Sequence, residues 1–444
     1  MKANIKLDHE PIADGGWLLR ALLKIEGEAR EETDRAPLNL SLVLDRSGSM
    51  GGAKIQAVKE AASLLVQRLA PADTLSVVAY DHSITVIAPP AAGSEQPHLV
   101  QQIDSIYAGG STNLSGGWLQ GRKFVAEHVR AGSVNRVLLL TDGLANVGIT
   151  DPRQLTGLCR EAASNGVTTT TIGFGADYDE ELLAAMADAG GGGAYYIEEP
   201  DQAPGVFDEE LQGLLSIAAQ NVSVQISTTD AVESCRVLHS YPASQHGGVL
   251  TLNVGDLYAR EPRPVLAEFL MKPAEQSGEM MSASGRGPDE IPVGTIVVMA
   301  DVLTEDGGVQ EREVALPIRL SPAEGGLVEE EVRRELTLLE AAKAREAALE
   351  ARTAEEFQAA RASLRAMSSR VRGFDPDDDY LAEEADDLDE MAIGLESNEL
   401  RAVDRKYMAY RSRHAHRGRK SAMDSLSRKK RAERRREGKE DEGS

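Results

Sequence analysis

The chain has 444 residues, 41% apolar and only 4% aromatic, so its cores must be built mostly from Leu, Val, Ile and Ala. Its net charge of −24 excludes a general polyanion binder. Two cysteines, Cys159 and Cys235, exclude a disulfide scaffold, a Cys-based zinc ribbon and a CxxC redox site. The charge is uneven: residues 401–444 hold 16 Lys/Arg against 7 Asp/Glu, a local +9 that leaves −33 on the first 400 residues. The start, Met1-Lys2-Ala3-Asn4-Ile5-Lys6, lacks an apolar signal core. No run approaches the ~18 apolar residues of a membrane span. The expectation is a cytoplasmic protein that does not enter membranes.

Residues 1–36 are polar with one apolar alternation, Trp17 to Ile25, which predicts a strand followed by a charged turn, Glu26 to Arg35. From Leu38 to Leu44 an apolar strand ends in Asp45 and a Gly/Ser turn. Ile55, Val58, Ala62, Leu65 and Leu69 then fall at helical spacing. Leu75 to Tyr80 is the next strand. A Gly-rich loop, Ala108 to Asn113, leads into a helix through Trp118, Val125 and Val129, and Val137 to Leu140 is an apolar strand ending at Thr141-Asp142-Gly143. Helices near 151–165, 179–188 and 203–218 alternate with strands at 167–174 and 194–197. Such alternation predicts a doubly wound, mostly parallel sheet with helices on both faces.

Residues 219–320 read as strands separated by turn residues, an all-β sandwich pattern. Pro322 to Gly326 marks a boundary. Beyond it, Val332, Leu336, Leu339 and Ala347 form a helical stripe, read as intramolecular packing. Residues 375–390 contain ten Asp/Glu, and a further helix is expected to about Tyr410. The domains expected are an N-terminal strand segment (1–36), an α/β domain (37–218), a sandwich (219–320), a helical region with an acidic segment (321–410) and a disordered basic tail (411–444). A lone strand at Trp17–Ile25 cannot bury itself, so the 1–36 segment is assigned to the sandwich, with the α/β domain inserted into it.

The chemistry gathers at Asp45-Arg46-Ser47-Gly48-Ser49, at the carboxyl end of the first core strand, where open α/β sheets bind ligands. Two more oxygen-rich loops fall at comparable ends: Gly109-Gly110-Ser111-Thr112-Asn113 and Thr141-Asp142-Gly143. Together they offer two carboxylates and at least three hydroxyls, a donor set that suits a hard divalent cation. Asp81 reads as a turn-former.

These residues resemble the metal-ion-dependent adhesion site of the von Willebrand factor type A family: DxSxS, then a Thr, then an Asp. The match is Asp45, Ser47, Ser49, Thr112 and Asp142, with gaps of 67 and 30 residues that fit the family's usual spacing. The resemblance covers about residues 37–218 and implies a Rossmann-like fold and bound Mg²⁺, with Mn²⁺ or Ca²⁺ as alternatives. It further implies direct ligation by Ser47 and Ser49, and by Thr112 in the ligand-engaged form. Asp45 and Asp142 would act largely through coordinated water. The run Thr141 to Gly148 is similar to bacterial relatives of inter-alpha-trypsin inhibitor heavy chains and calcium-activated chloride channel regulators, where a β-sandwich commonly flanks the type A domain.

No GxSxG elbow and no GxxxxGKS phosphate loop occur, and no His is close in sequence to the three loops. The chain therefore reads as no enzyme. The function expected is a metal-dependent module that binds a partner protein's Asp or Glu. The alternative, by resemblance, is an accessory subunit of a MoxR-type AAA+ ATPase or chelatase-like assembly. The basic tail lacks interleaved aromatics, so nucleic acid would bind only weakly and non-specifically. The site residues are expected on surface loops, where their removal leaves the fold intact.

Overall fold

The computed structural model of the chain describes residues 1–13, 15–28, 35–93, 96–259, 261–273, 290–304, 308–322, 326–375, 378–397 and 402–418. They divide into two compact units, one of residues 1–36 and 216–418 and one of residues 37–215. The chain begins with two antiparallel strands, β1 (Lys2–Pro11) and β2 (Trp17–Glu26), which belong to the first unit.

The second unit follows. It contains β3 (Leu38–Asp45), α1 (Ala53–Gln67), β4 (Thr74–Tyr80), β5 (Ile84–Ala92), α2 (Gln96–Asp104) and α3 (Leu114–Ala126). Then come β6 (Val134–Thr141), α4 (Pro152–Ser164), β7 (Thr168–Phe174), α5 (Glu180–Ala189), β8 (Gly191–Ile197) and α6 (Ala203–Leu215). The sheet order is β5-β4-β3-β6-β7-β8, parallel except for β5. Every residue of β3 and β6 is buried, because helices cover both faces, and the sequence accordingly reads as apolar runs without alternation. One face packs Val43, Val78, Val137 and Leu139 against Trp118 of α3, Cys159 of α4 and Leu183 and Met186 of α5. The chain passes from β3 to β4 on one side and later to β6 on the other. The order therefore reverses at β3, which opens a crevice at the carboxyl ends of β3 and β6. Strand β5, unforeseen in the sequence, carries Pro89 and Pro90 and lies at the sheet edge, where missing donors are tolerated.

The chain then returns to the first unit with β9 (Ile217–Thr228), β10 (Val232–Val237), β11 (Ala243–His246), β12 (Val249–Tyr258), β13 (Arg263–Met271), β14 (Ile291–Leu303) and β15 (Val309–Leu320). Two antiparallel sheets form, β1-β2-β13-β10 and β11-β12-β9-β14-β15. Strand β2 pairs with β13 in the register Leu23↔Val265, so segments on either side of residues 37–215 build one sheet. Leu19, Ala21, Leu23 and Ile25 of β2 face a core shared with Val222, Val224 and Ile226 of β9. Leu22 and Leu266 point the other way, onto Val332 and Leu339 of α7 (Glu330–Glu350). The helical stripe is thus intramolecular packing, with one correction: Ala347 is exposed, and Ala344 and Ala348 carry the buried face onward. Ion pairs frame this contact: buried Asp8 bonds Arg20 at 3.2 Å and Arg333 at 3.1 Å, and Glu331 meets Lys6 and Lys24.

Three more helices follow: α8 (Ala354–Arg372), α9 (Asp379–Ser397) and α10 (Ala402–His416). A capping box between Thr353 and Glu356 starts α8. The acidic run is largely helical, and its Glu384 lies between buried Arg345 and Arg411, the latter at 2.7 Å. Helix α10 passes residue 410, where the sequence reading begins a disordered tail. Residues 411–416 are helical instead, because Arg411 and Ser412 are buried against Glu384 and Ala342. Residues 419–444 of the tail lie outside the described residues. Among the described residues no helix is long and apolar enough to cross a membrane.

Candidate metal centre

Strand β3 ends at Asp45 and strand β6 at Thr141, one residue before Asp142, so parallel pairing alone delivers both carboxylates to the crevice. Asp45 folds the loop after it: its Oδ1 accepts the Ser47 N–H at 2.7 Å, and a single 3₁₀ turn, Gly48–Met50, follows. The second loop is laced to the first by backbone bonds, Gly109 N–H to the Arg46 carbonyl (2.7 Å) and Gly48 N–H to the Gly110 carbonyl (3.0 Å). Gly110 has φ +84°, and a Cβ there would stand 2.5 Å from His82 Nδ1, so only glycine fits. The third loop is tied to the second where Asn146 and Val147 N–H groups both reach the Thr112 carbonyl at 3.2 Å.

The side chains close the triangle. Ser47 Oγ and Ser49 Oγ are 3.1 Å apart, Ser49 Oγ donates to Asp142 Oδ1 at 2.7 Å, and Thr141 Oγ1 donates to Asp45 Oδ2 at 2.6 Å. Gly143 lies against the hydroxyls: a Cβ there would touch Thr112 Oγ1 at 3.4 Å and Ser49 Oγ at 4.0 Å. Asp45, Ser47, Ser49, Thr112 and Asp142 are therefore gathered in one place. Burial pushes the Asp45 carboxyl above its ordinary value, with the Asp142 charge adding to the push and hydrogen bonds from Thr141 and Ser47 opposing it.

The expectation that these residues sit on the surface needs correction. Asp45 and Asp142 are both 0% exposed, and Ser47 and Thr112 are buried as well. Asp45 is the last residue of a central strand, and its two oxygens satisfy buried donors from two different loops, so it holds the loops together.

Neighbouring residues resolve into supporting roles. Asp81 accepts from Ser83 N–H and Oγ–H and pairs with Arg46 at 3.3 Å, which makes it a turn-former anchoring the first loop. Burial works to raise its carboxyl, but the Ser83 bonds and the Arg46 charge prevail and hold it low. Asn113 caps α3 by accepting the Gly116 N–H at 3.0 Å. Two participants were not foreseen in the sequence. Thr141 secures Asp45, and Lys54, on α1, places Nζ 2.5 Å from Asp142 Oδ2. Thr141 stands in the Thr-Asp-Gly run itself; Lys54 carries no signal beyond lying nine residues after Asp45.

Two carboxylates and three hydroxyls, all hard oxygen donors, fit a small divalent cation. Among the described residues no three His, Cys, Asp or Glu side chains form a metal cluster, so hydroxyls have to complete any such donor set here. The model of the von Willebrand factor type A domain matches residues 39–209. The chain carries a von Willebrand factor type A domain. Its sequence is 32% identical over 216 residues to the uncharacterized protein YfbK of Escherichia coli (strain K12), covering 48% of this chain and 38% of that one. It is also 32% identical over 179 residues to human inter-alpha-trypsin inhibitor heavy chain H4, covering 38% of this chain and 19% of that one. The chain thus spans well under two thirds of either relative. Among solved structures, von Willebrand factor type A from Catenulispora acidiphila has a TM-score of 0.66 at 16% identity, over 86% of this chain and 88% of that one, a likeness of fold. Type A domains are commonly metal-dependent protein-interaction modules.

Proposed function

We propose that the type A domain is a non-enzymatic interaction module that holds Mg²⁺ through Asp45, Ser47, Ser49, Thr112 and Asp142 and binds an Asp or Glu side chain of a partner protein. The observation that carries this reading is the closure of three loops around those five residues at the strand-order reversal. A bound divalent cation supplies Lewis-acid attraction for one carboxylate oxygen. Asp45 and Asp142 supply the negative charge that offsets partial dehydration of such an ion. Ser47, Ser49 and Thr112 supply neutral oxygens, which leave the ion short of negative charge and receptive to one more carboxylate. The first 400 residues carry −33, so an acidic partner is repelled at long range and recognition rests on a single well-placed carboxylate.

The test is affinity capture from lysate on immobilised full-length protein, with Mg²⁺ and with EDTA, read by mass spectrometry, alongside calorimetry with Mg²⁺ and Mn²⁺. The expected result is metal binding by the wild type and partners that elute with EDTA. Partners that stay bound in excess EDTA would place recognition elsewhere on the chain.

A further inference from the structure

Lys54 is the second residue of α1, at the positive end of the helix dipole, where a cation is disfavoured. It is nevertheless held firmly. Its Nζ lies 2.5 Å from Asp142 Oδ2 and 5.7 Å from the ring centroid of buried Phe174. Beside it, Gly175 packs at van der Waals distance, since a Cβ there would be 3.6 Å from Nζ. Asp142 is fully buried, and its other oxygen takes the Ser49 hydroxyl. Both oxygens of this carboxylate are therefore engaged, one by a hydroxyl and one by a full positive charge.

We propose that Lys54 is a built-in counter-charge of the site: it keeps buried Asp142 paired in metal-free protein and lowers the site's affinity for divalent cations. The proposal rests on the metal-site reading of the same residues. A dication drawing charge from Asp142 shares that fully buried carboxylate with an ammonium at hydrogen-bonding distance, and the two cations repel one another across a few ångströms. The same ammonium removes the cost of leaving an unpaired carboxylate buried when no cation is bound. One residue thus sets two quantities in opposite directions, metal-free stability upward and metal affinity downward. A weak site of this kind responds to changes in free divalent cation, where a tight one would stay saturated.

Lys54→Met tests this, because Met keeps an unbranched apolar stem against Phe174 and removes the charge; Lys54→Arg keeps the charge. Full-length wild type and both variants are titrated with Mg²⁺ and with Mn²⁺ by calorimetry, and melted in EDTA and in saturating Mg²⁺. The expected result is Mg²⁺ affinity at least about tenfold tighter for Lys54→Met, near-wild-type affinity for Lys54→Arg, and a lower melting temperature for Lys54→Met in EDTA that Mg²⁺ restores. Should Lys54→Met be unstable, Lys54→Gln gives the same comparison. If wild type binds the ions and Lys54→Met binds them equally or more weakly, Lys54 merely positions Asp142; the counter-charge proposal is overturned and the metal site stands. If wild type binds neither ion but Lys54→Met does, the proposal is supported in its strongest form. Binding by none of the proteins at millimolar ion overturns both.

Discussion

Replacing Asp45 by Ala and by Asn separates two jobs that one carboxylate performs. Its Oδ1 accepts the Ser47 N–H at 2.7 Å and its Oδ2 the Thr141 hydroxyl at 2.6 Å, in a place with no solvent access. Ala orphans both donors, at about 1–3 kcal/mol each. The Thr141 hydroxyl recovers part by turning to the Gly143 carbonyl, recorded at 3.4 Å, and loss of a buried charge returns a little more. The net cost is about 2–4 kcal/mol, or about 5–15 °C of melting temperature for a unit of this size. Asn keeps a carbonyl oxygen for Ser47 and offers its amide to Thr141 Oγ1, so it should cost about 1 kcal/mol or less. Both variants remove the same unit of negative charge, and each should weaken Mg²⁺ binding by at least about tenfold, equivalent to about 1.4 kcal/mol. The assay is thermal unfolding in EDTA followed by tryptophan fluorescence in a Trp17→Phe background, which leaves Trp118, buried in the α/β unit, as the reporter. Calorimetry with Mg²⁺ runs in parallel. Asp45→Ala melting with wild type, or Asp45→Asn holding Mg²⁺ as wild type does, would refute the reasoning.

Thr112→Val preserves shape and removes one hydroxyl; it should leave the melting temperature within a few degrees and weaken an acidic partner's binding more than Mg²⁺ binding, read by paired titrations. A chain beginning at Pro37 lacks β1 and β2, leaves one edge of β13 unpaired and removes Leu19, Leu23 and Ile25 from the core they share with Val222, Val224 and Ile226, so it should aggregate where the full chain does not, as light scattering would show. Glu384→Gln takes the carboxylate from buried Arg345, while Arg411 keeps Asp387 at 3.3 Å, and should cost about 3 kcal/mol in urea unfolding. Burial works to raise the Glu384 carboxyl, but the Arg345 and Arg411 charges prevail and hold it low; the stability it lends is present above pH ~4.5 and is lost as pH falls through the depressed value, which acid titration of far-UV circular dichroism follows. Burial pushes the Cys159 thiol up to about 12 and the Cys235 thiol to about 11, so native protein at pH 8 should react with a thiol-specific disulfide reagent far more slowly than urea-unfolded protein.

The sequence by itself determined most strands and helices of the α/β unit and marked the candidate site residues. Leu38–Leu44 and Val137–Leu140 read as strands buried on both faces because their apolar runs do not alternate, and the order Asp45, Ser47, Ser49, Thr112, Asp142 marks oxygen donors on three loops, two after strands β3 and β6 and one, against the sequence reading, between helices α2 and α3. What sequence could not supply was pairing across distance. That β2 lies between β1 and β13, that edge strand β5 runs antiparallel, and that the acidic run finds Arg345 and Arg411 all depend on contacts between residues far apart in the chain, where no local propensity acts. Burial was the other missing quantity. Asp45 and Asp142 carry the composition of exposed loops, yet the helices packed on β3 and β6 and the three interlocked loops remove them from water, and Lys54 meets Asp142 only once α1 is folded against the sheet. A charge's solvation is set by everything around it, so the chemistry of the site was written in five residues while its energetics were decided by the tertiary structure.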